Sequence, residues 1–264
     1  MGSIFPPLLV ATAAAVALMC LIFWIGRRMN NFGIVDIAWS WGFALLLAIY
    51  LLMADGGLTR DILLAVPVFA WSARLGWHLY RRVMSHHPDE DGRYRQLREE
   101  WGDRVGVKMF WFYLLQAIVL VALSLPFLLV ARNPEPRVGV VEWIGAGLAL
   151  AAWLGESLAD AQLARFKTDP ANRGRTCRAG LWGYSRHPNY FFEWLIWVGF
   201  FLMALGSPGG AVAVYCPAVM LYFLLKQTGI PATEEQALRT KGDDYRRYQK
   251  TTNAFVPWFP KELP

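Results

Sequence analysis

Apolar residues along this chain run on without alternation, and the runs are long. Seven segments, residues 5–25, 33–53, 62–80, 109–130, 138–159, 190–205 and 211–225, reach or approach the length of a membrane helix. Such a helix needs about 20 residues to cross a hydrocarbon core of about 30 Å. Continuous runs predict helices, because the strands of a barrel would alternate apolar and polar positions. The last two runs are short and meet at 206–210 (GSPGG), a turn that predicts a helical hairpin. The expected fold class is therefore all-α, an integral membrane bundle of seven transmembrane helices. No repeat or long linker divides the chain, so residues 1–264 read as one membrane domain. The first run has no basic segment before it and no convincing cleavage site, which reads as a retained helix.

Composition agrees: 56% of residues are apolar, 13 are Trp, and the mean hydropathy of +0.31 is too high for a soluble domain of this size. Lys and Arg set the orientation. With the N-terminus outside and the C-terminus in the cytoplasm, segments 26–32, 81–108, 160–189 and 226–264 hold 22 of them, and the outer loops only Arg60, Arg132 and Arg137. Arg74 falls inside the third span. The net charge of +6 is thus mostly a topology signal, with a share for anionic lipid headgroups, and a nucleic-acid partner is not expected. Cys20, Cys177 and Cys216 are too widely spaced for a disulfide frame or a zinc site, and no metal is expected.

Ionisable residues at membrane depth are the candidate chemistry. Asp36 lies just inside the second span, close to Trp39 and Trp41. It is either a structural acid paired with Arg74 or a loop cation, or a buried acid that hydrogen-bonds a substrate carbonyl. The two indoles either wall an apolar pocket or anchor the helix at the interface. Arg74 either snorkels or serves a site. Glu156 and Asp160 stand one turn apart at the end of the fifth span, where two carboxylates oppose the helix dipole and call for cations. Arg165, Lys167, Arg173, Arg175 and Arg178 follow, as a ligand seat or as a solvated positive-inside loop.

The densest polar cluster is 184–190 (YSRHPNY), at the start of the sixth span. Pro188 opens the helix, so the free N–H groups of residues 189–191 make a seat for a phosphate or carboxylate. Glu193 lies one turn beyond Asn189 on the same face. Residues 233–239 and 243–248 predict two amphipathic helices broken at Gly242. They form either a membrane-surface element or a lid placing Arg239, Tyr245 and Arg246 on a ligand.

The run Gly180-Leu181-Trp182-x-Tyr184-Ser185-Arg186-His187-Pro188-Asn189-Tyr190-x-x-Glu193-Trp194, with Asp244-Tyr245-x-x-Tyr248 and Phe255-x-Pro257 later, resembles the steroid 5-alpha-reductase superfamily, in its bacterial branch of short membrane proteins. Val35-Asp36-Ile37-x-Trp39 and Asp91-Gly92-Arg93-Tyr94 fit that branch too. The resemblance implies NADPH-dependent reduction of the 4,5 double bond of a 3-oxo-4-ene steroid or similar apolar enone, in a bacterial inner membrane, with the cofactor in about residues 138–264. By position, Asp36 matches the acid that holds the ketone. Trp39, Trp71 and Arg74 are the implied substrate contacts, although Trp71 stands where the animal enzymes carry a tyrosine. Asp160, Asn189 and Glu193 match cofactor contacts. Arg165, Lys167 and Arg178 are phosphate partners on this reading, and Tyr184, His187, Arg239, Tyr245 and Arg246 are further cofactor contacts. A second resemblance is to membrane methyltransferases of the isoprenylcysteine and phospholipid type. They share Arg-His-Pro-x-Tyr and a tail Glu-Glu, here Glu234-Glu235, and use S-adenosylmethionine.

Overall fold

The computed structural model describes residues 4–54, 57–227 and 229–261. Among them there is helix and no strand. Ten α-helices follow one another: α1 (Phe5–Met29), α2 (Ile34–Met53), α3 (Leu58–His86), α4 (Gly92–Trp101), α5 (Val105–Ala131), α6 (Val140–Thr168), α7 (Pro188–Leu205), α8 (Tyr215–Tyr222), α9 (Ile230–Lys241) and α10 (Asp243–Thr251). Six stretches are long and apolar enough to cross a membrane: Phe5–Met29, Ile34–Met53, Leu58–His86, Gly92–Ala131, Pro188–Leu205 and Gly210–Lys241. The chain is thus an all-helical membrane protein. α6 spans 29 residues but carries Glu142, Glu156 and Asp160, and is not among the six.

Two helices outrun their apolar segments. α3 continues to His86 and α6 to Thr168, so Arg165 and Lys167, expected in a loop, lie on the last turns of a helix. Cations there also complement the helix dipole. The expected last span is not one regular helix. A 3-10 turn (Gly210–Val214) precedes α8, and a π-helical turn (Phe223–Gln227) follows it.

The chain forms two compact units: Met1–Val140 with Met203–Gly210, and Val141–Leu202 with Ala211–Pro264. In the first, α2 is the centre, packed on α1, α3 and α5. Its residues Phe43, Leu46, Leu47 and Tyr50 are fully buried. Ser72 donates to the Ser40 carbonyl at 2.7 Å, and Tyr50 shares a 2.8 Å hydrogen bond with Ser124. Small residues let the helices close up. Gly76 lies so near the Trp41 indole that a Cβ there would sit 2.1 Å from it. Arg60, expected in an outer loop, is instead buried, its guanidinium donating to the carbonyls of Asn133, Glu135 and Arg137. In the second unit α6 and α7 cross closely. A Cβ on Gly199 would meet the Gly145 carbonyl at 2.7 Å, and one on Gly155 the Phe192 ring at 2.5 Å.

Candidate functional site

In the first unit the polar cluster forms where α1 turns into α2. Asn30 adopts left-handed backbone (φ 53°) and ends α1. Asp36 then falls in the first turn of α2, where a carboxylate suits the helix dipole. α4 comes back over this turn. Arg93 donates to both carboxylate oxygens of Asp36 at 2.9 Å, and the Tyr94 hydroxyl donates to Oδ1 at 2.7 Å. Arg93 also donates to the Tyr94 hydroxyl at 2.6 Å. Glu90 fastens the same junction, accepting from the Phe32 backbone N–H and from Arg98, whose guanidinium lies over the Phe32 ring.

Asp36 is therefore not sealed in apolar surroundings. Its side chain is 30% exposed and ion-paired, and the partner is Arg93 in the first turn of α4. Trp39, one turn on, packs edge-on against Phe43, and its indole N–H is buried with no acceptor among the described residues. Trp71 is fully buried in the core against Phe43, a packing position. Arg74 is half-buried on α3.

In the second unit, α6 and α7 bring Asp160 and Asn189 together, with the Asn189 amide donating at 3.2 Å. The amide oxygen of Asn189 is buried and has no donor among the described residues. Glu193 is buried one turn deeper and accepts from the Trp197 indole at 2.9 Å.

The neighbouring Arg186 and His187 face the tail. Glu234 on α9 accepts from Arg186 Nε at 2.7 Å and Gln249 at 2.8 Å, and lies 3.3 Å from His187 Nε2 and from the Tyr245 hydroxyl. Arg186 also donates to the carbonyls of Gln249 (3.1 Å) and Thr252 (2.6 Å). The backbone is tied as well: the Arg186 N–H donates to Asn253 and the Trp258 N–H to Tyr184. The Ser185 hydroxyl donates to Phe255, and the Tyr248 hydroxyl to Ser185 and Trp182. His187 stacks on Tyr190 with ring centroids 5.4 Å apart. His187 and Tyr245 are thus turned to Glu234 and to the clamp between motif and tail.

The cations gather elsewhere in this unit. A cleft of about 730 Å³ is lined by Arg175, Arg178, Arg247 and Asp244, with Phe166 and Asn172. A second, of about 520 Å³, shares Phe166, Asn172 and Arg175 and adds Lys167, Arg173 and Lys241. Asp244 holds the loop on α10, accepting from the Thr176 N–H at 2.7 Å and from Arg178 at 2.9 Å. Burial pulls the Asp244 carboxyl up, but the Thr176 bonds and the Arg178 charge outweigh it and leave it below the ordinary value. Arg165, Arg239 and Arg246 line neither cleft. Arg239 pairs with Glu235 and Arg246 with Asp243, both exposed pairs on their own helices. Tyr184 is exposed against Phe259. No group of three or more His, Cys, Asp or Glu able to hold a metal occurs among the described residues.

Sequence reasoning missed Arg93 and Tyr94 as partners of Asp36, Glu234 as the acid of the Arg-His motif, and Arg247 in the first cleft. A signal existed for Glu234. Arg186 and His187 beside an apolar helix require an acid, and 234–235 is the first acidic pair after them.

Residues 22–252 match the DUF1295 family, described as a protein of unknown function, and the chain belongs to that family. It is also similar to an uncharacterized protein of Schizosaccharomyces pombe, C594.04c, with 28% identity over 227 residues, covering 75% of this chain. The match takes in 63% of that relative's length. No solved structure matches the chain.

Proposed function

We propose that this protein is an NADPH-dependent reductase of a 3-oxo-4-ene steroid or a similar apolar enone. On this reading it crosses a bacterial inner membrane seven times, α6 included, with the N-terminus outside and the cofactor site facing the cytoplasm. The observation that carries the reading is the pair of cationic clefts. Lys167, Arg173, Arg175, Arg178, Arg247 and Lys241 on adjoining walls suit a ligand with several phosphates. S-adenosylmethionine has no phosphate and leaves them unexplained. The buried amide oxygen of Asn189 is an acceptor suited to a ligand N–H. The donor set thus fits NADPH, with the loop and α10 cations on phosphates and Asp160 and Asn189 on the polar remainder.

NADPH, when bound, would supply a hydride to the beta carbon of the enone and leave as NADP+, and the resulting enolate would take a proton from water at its alpha carbon. This chain's residues must then steady the negative charge that grows on the ketone oxygen. An ion-paired Asp36 accepts hydrogen bonds and does not give them. The donors are then Arg93, which remains 43% exposed, and the unpaired Trp39 N–H, with Asp36 and Tyr94 aiming the guanidinium. Apolar spans suit a substrate that arrives from lipid.

Mass analysis of what co-purifies tests the cofactor: NADP(H) is expected, and S-adenosylmethionine alone would end the reductase reading. Asp36→Leu should abolish enone turnover while NADPH still binds, and full turnover in that variant would remove the acid from the reaction. The methyltransferase reading draws its support from Glu234, which joins the Arg-His motif to the tail as a shared motif would require.

A further inference from the structure

Residues 256–259 follow the clamp and present a different surface from the rest of the tail. Phe255 points inward, its ring 5.6 Å from Phe191 and 5.9 Å from Trp194. The next large apolar side chains point out: Val256 is 54% exposed, Trp258 65% and Phe259 74%. Tyr184 joins them, with its ring 6.0 Å from Phe259. This group is held in place from both sides. The Trp258 N–H donates to the Tyr184 carbonyl at 2.9 Å, and the Lys261 N–H to the Thr251 carbonyl at 2.7 Å. An exposed group of one indole, one phenyl ring, one phenol and a valine is costly in water, at roughly 25 cal/mol per Å² of apolar surface.

Its height relative to the membrane follows from the chain. Tyr184 comes four residues before Pro188, the first residue of α7, one of the stretches long and apolar enough to span a bilayer. The backbone bond from Trp258 to Tyr184 therefore places Trp258 at the level where α7 enters the membrane. Trp and Tyr favour that level, where a ring can meet acyl chains while its polar tip meets water. Lys261 beside the rings adds a cation for anionic headgroups.

We infer that Val256, Trp258 and Phe259, with Tyr184, seat the tail in the headgroup and upper acyl region of the bilayer that α7 crosses. The tail then straps the Arg186–His187 motif from a membrane-anchored foothold. The partner is lipid, and the inference does not depend on which reaction the protein performs.

Site-directed nitroxides test it on the full-length protein in vesicles of neutral and anionic phospholipid. Cys20, Cys177 and Cys216 are first replaced by Ala. A single cysteine is then introduced as Val256→Cys, Trp258→Cys or Phe259→Cys, with Lys250→Cys on α10 as a water-exposed control. At the three tail sites, collisions with oxygen should exceed those with a water-soluble nickel chelate, reversing the ratio at residue 250. A nickel-dominated ratio at all three sites would overturn the inference. Spin–spin broadening at 258 and 259, lost on dilution with unlabelled protein, would also overturn it by showing a second copy on the patch. Should a single label disturb folding, the other two sites decide, because all three side chains are exposed in the same short segment.

Discussion

Glu234→Ala should unfasten the tail. The carboxylate serves four donors, and two of them, Arg186 and His187, have side chains only 11% and 3% exposed. The Arg186 bond at 2.7 Å is charge-assisted, and such bonds contribute about 1.5–3 kcal/mol each. The Gln249 bond adds about 1 kcal/mol, and the two contacts at 3.3 Å less. Arg186 keeps its two carbonyl acceptors and water reaches the rim, which offsets part of the loss. A net destabilisation of about 3 kcal/mol results, since removing one partner of a largely buried pair typically costs about 3–5 kcal/mol. At about 2–4 °C per kcal/mol for a chain of this size, the midpoint should fall by about 6–12 °C. The assay is thermal unfolding in detergent at one fixed scan rate, because unfolding of such a protein is commonly irreversible. Arg186→Ala and the double variant complete a cycle whose coupling should reach about 2 kcal/mol. Additive losses, or a Glu234→Ala midpoint within about 1 °C of the parent, would refute the assignment of Glu234 as the hub.

Arg93→Leu should lower enone turnover at least as much as Asp36→Asn while leaving NADPH affinity unchanged, measured by steady-state kinetics and cofactor titration. Arg175→Ala combined with Arg247→Ala should weaken NADPH binding by about tenfold or more, at roughly 0.7 kcal/mol per cation removed from the cleft, and make it less sensitive to salt. Gly199→Leu should destabilise the α6–α7 crossing by about 1–3 kcal/mol, because its Cβ would meet backbone of Gly145 and Ala149 that no side chain can move aside for. The Asp244 contribution depends on pH. Its carboxyl is depressed in the folded chain, so the stabilisation is complete above the unfolded value of about 4 and is lost as pH falls through the folded one. Proteolysis of the 173–178 loop should therefore quicken below about pH 4 in the parent, and be quick at every pH in Asp244→Ala.

The helices were legible because an apolar run in lipid has to hydrogen-bond within itself. Their ends were not. α3 and α6 continue through charged residues, and nothing in hydropathy marks where such a helix stops. Asp36 announced that it needed a partner, but the choice between Arg74 and a loop cation lay 57 residues away, in the way α4 folds back. Arg60 was expected as an exposed outer-loop charge, yet three carbonyls of the 133–137 segment draw it inside. The Arg-His-Pro-Asn run was legible as a polar focus at a helix start. Its division of labour was not: Asn189 turns to Asp160, whereas Arg186 and His187 turn to an acid on α9.

That division has a consequence for how the chain is made. Arg186 and Glu234 are 48 residues apart. On a ribosome, the start of α7 is made with the Arg186 guanidinium and the His187 ring lacking their Glu234 partner, and stays so until α9 has been synthesised. This clamp therefore closes only after α9 has been made. A chain interrupted before Glu234 carries the membrane-crossing stretches up to α7 but lacks the carboxylate that Arg186 and His187 face.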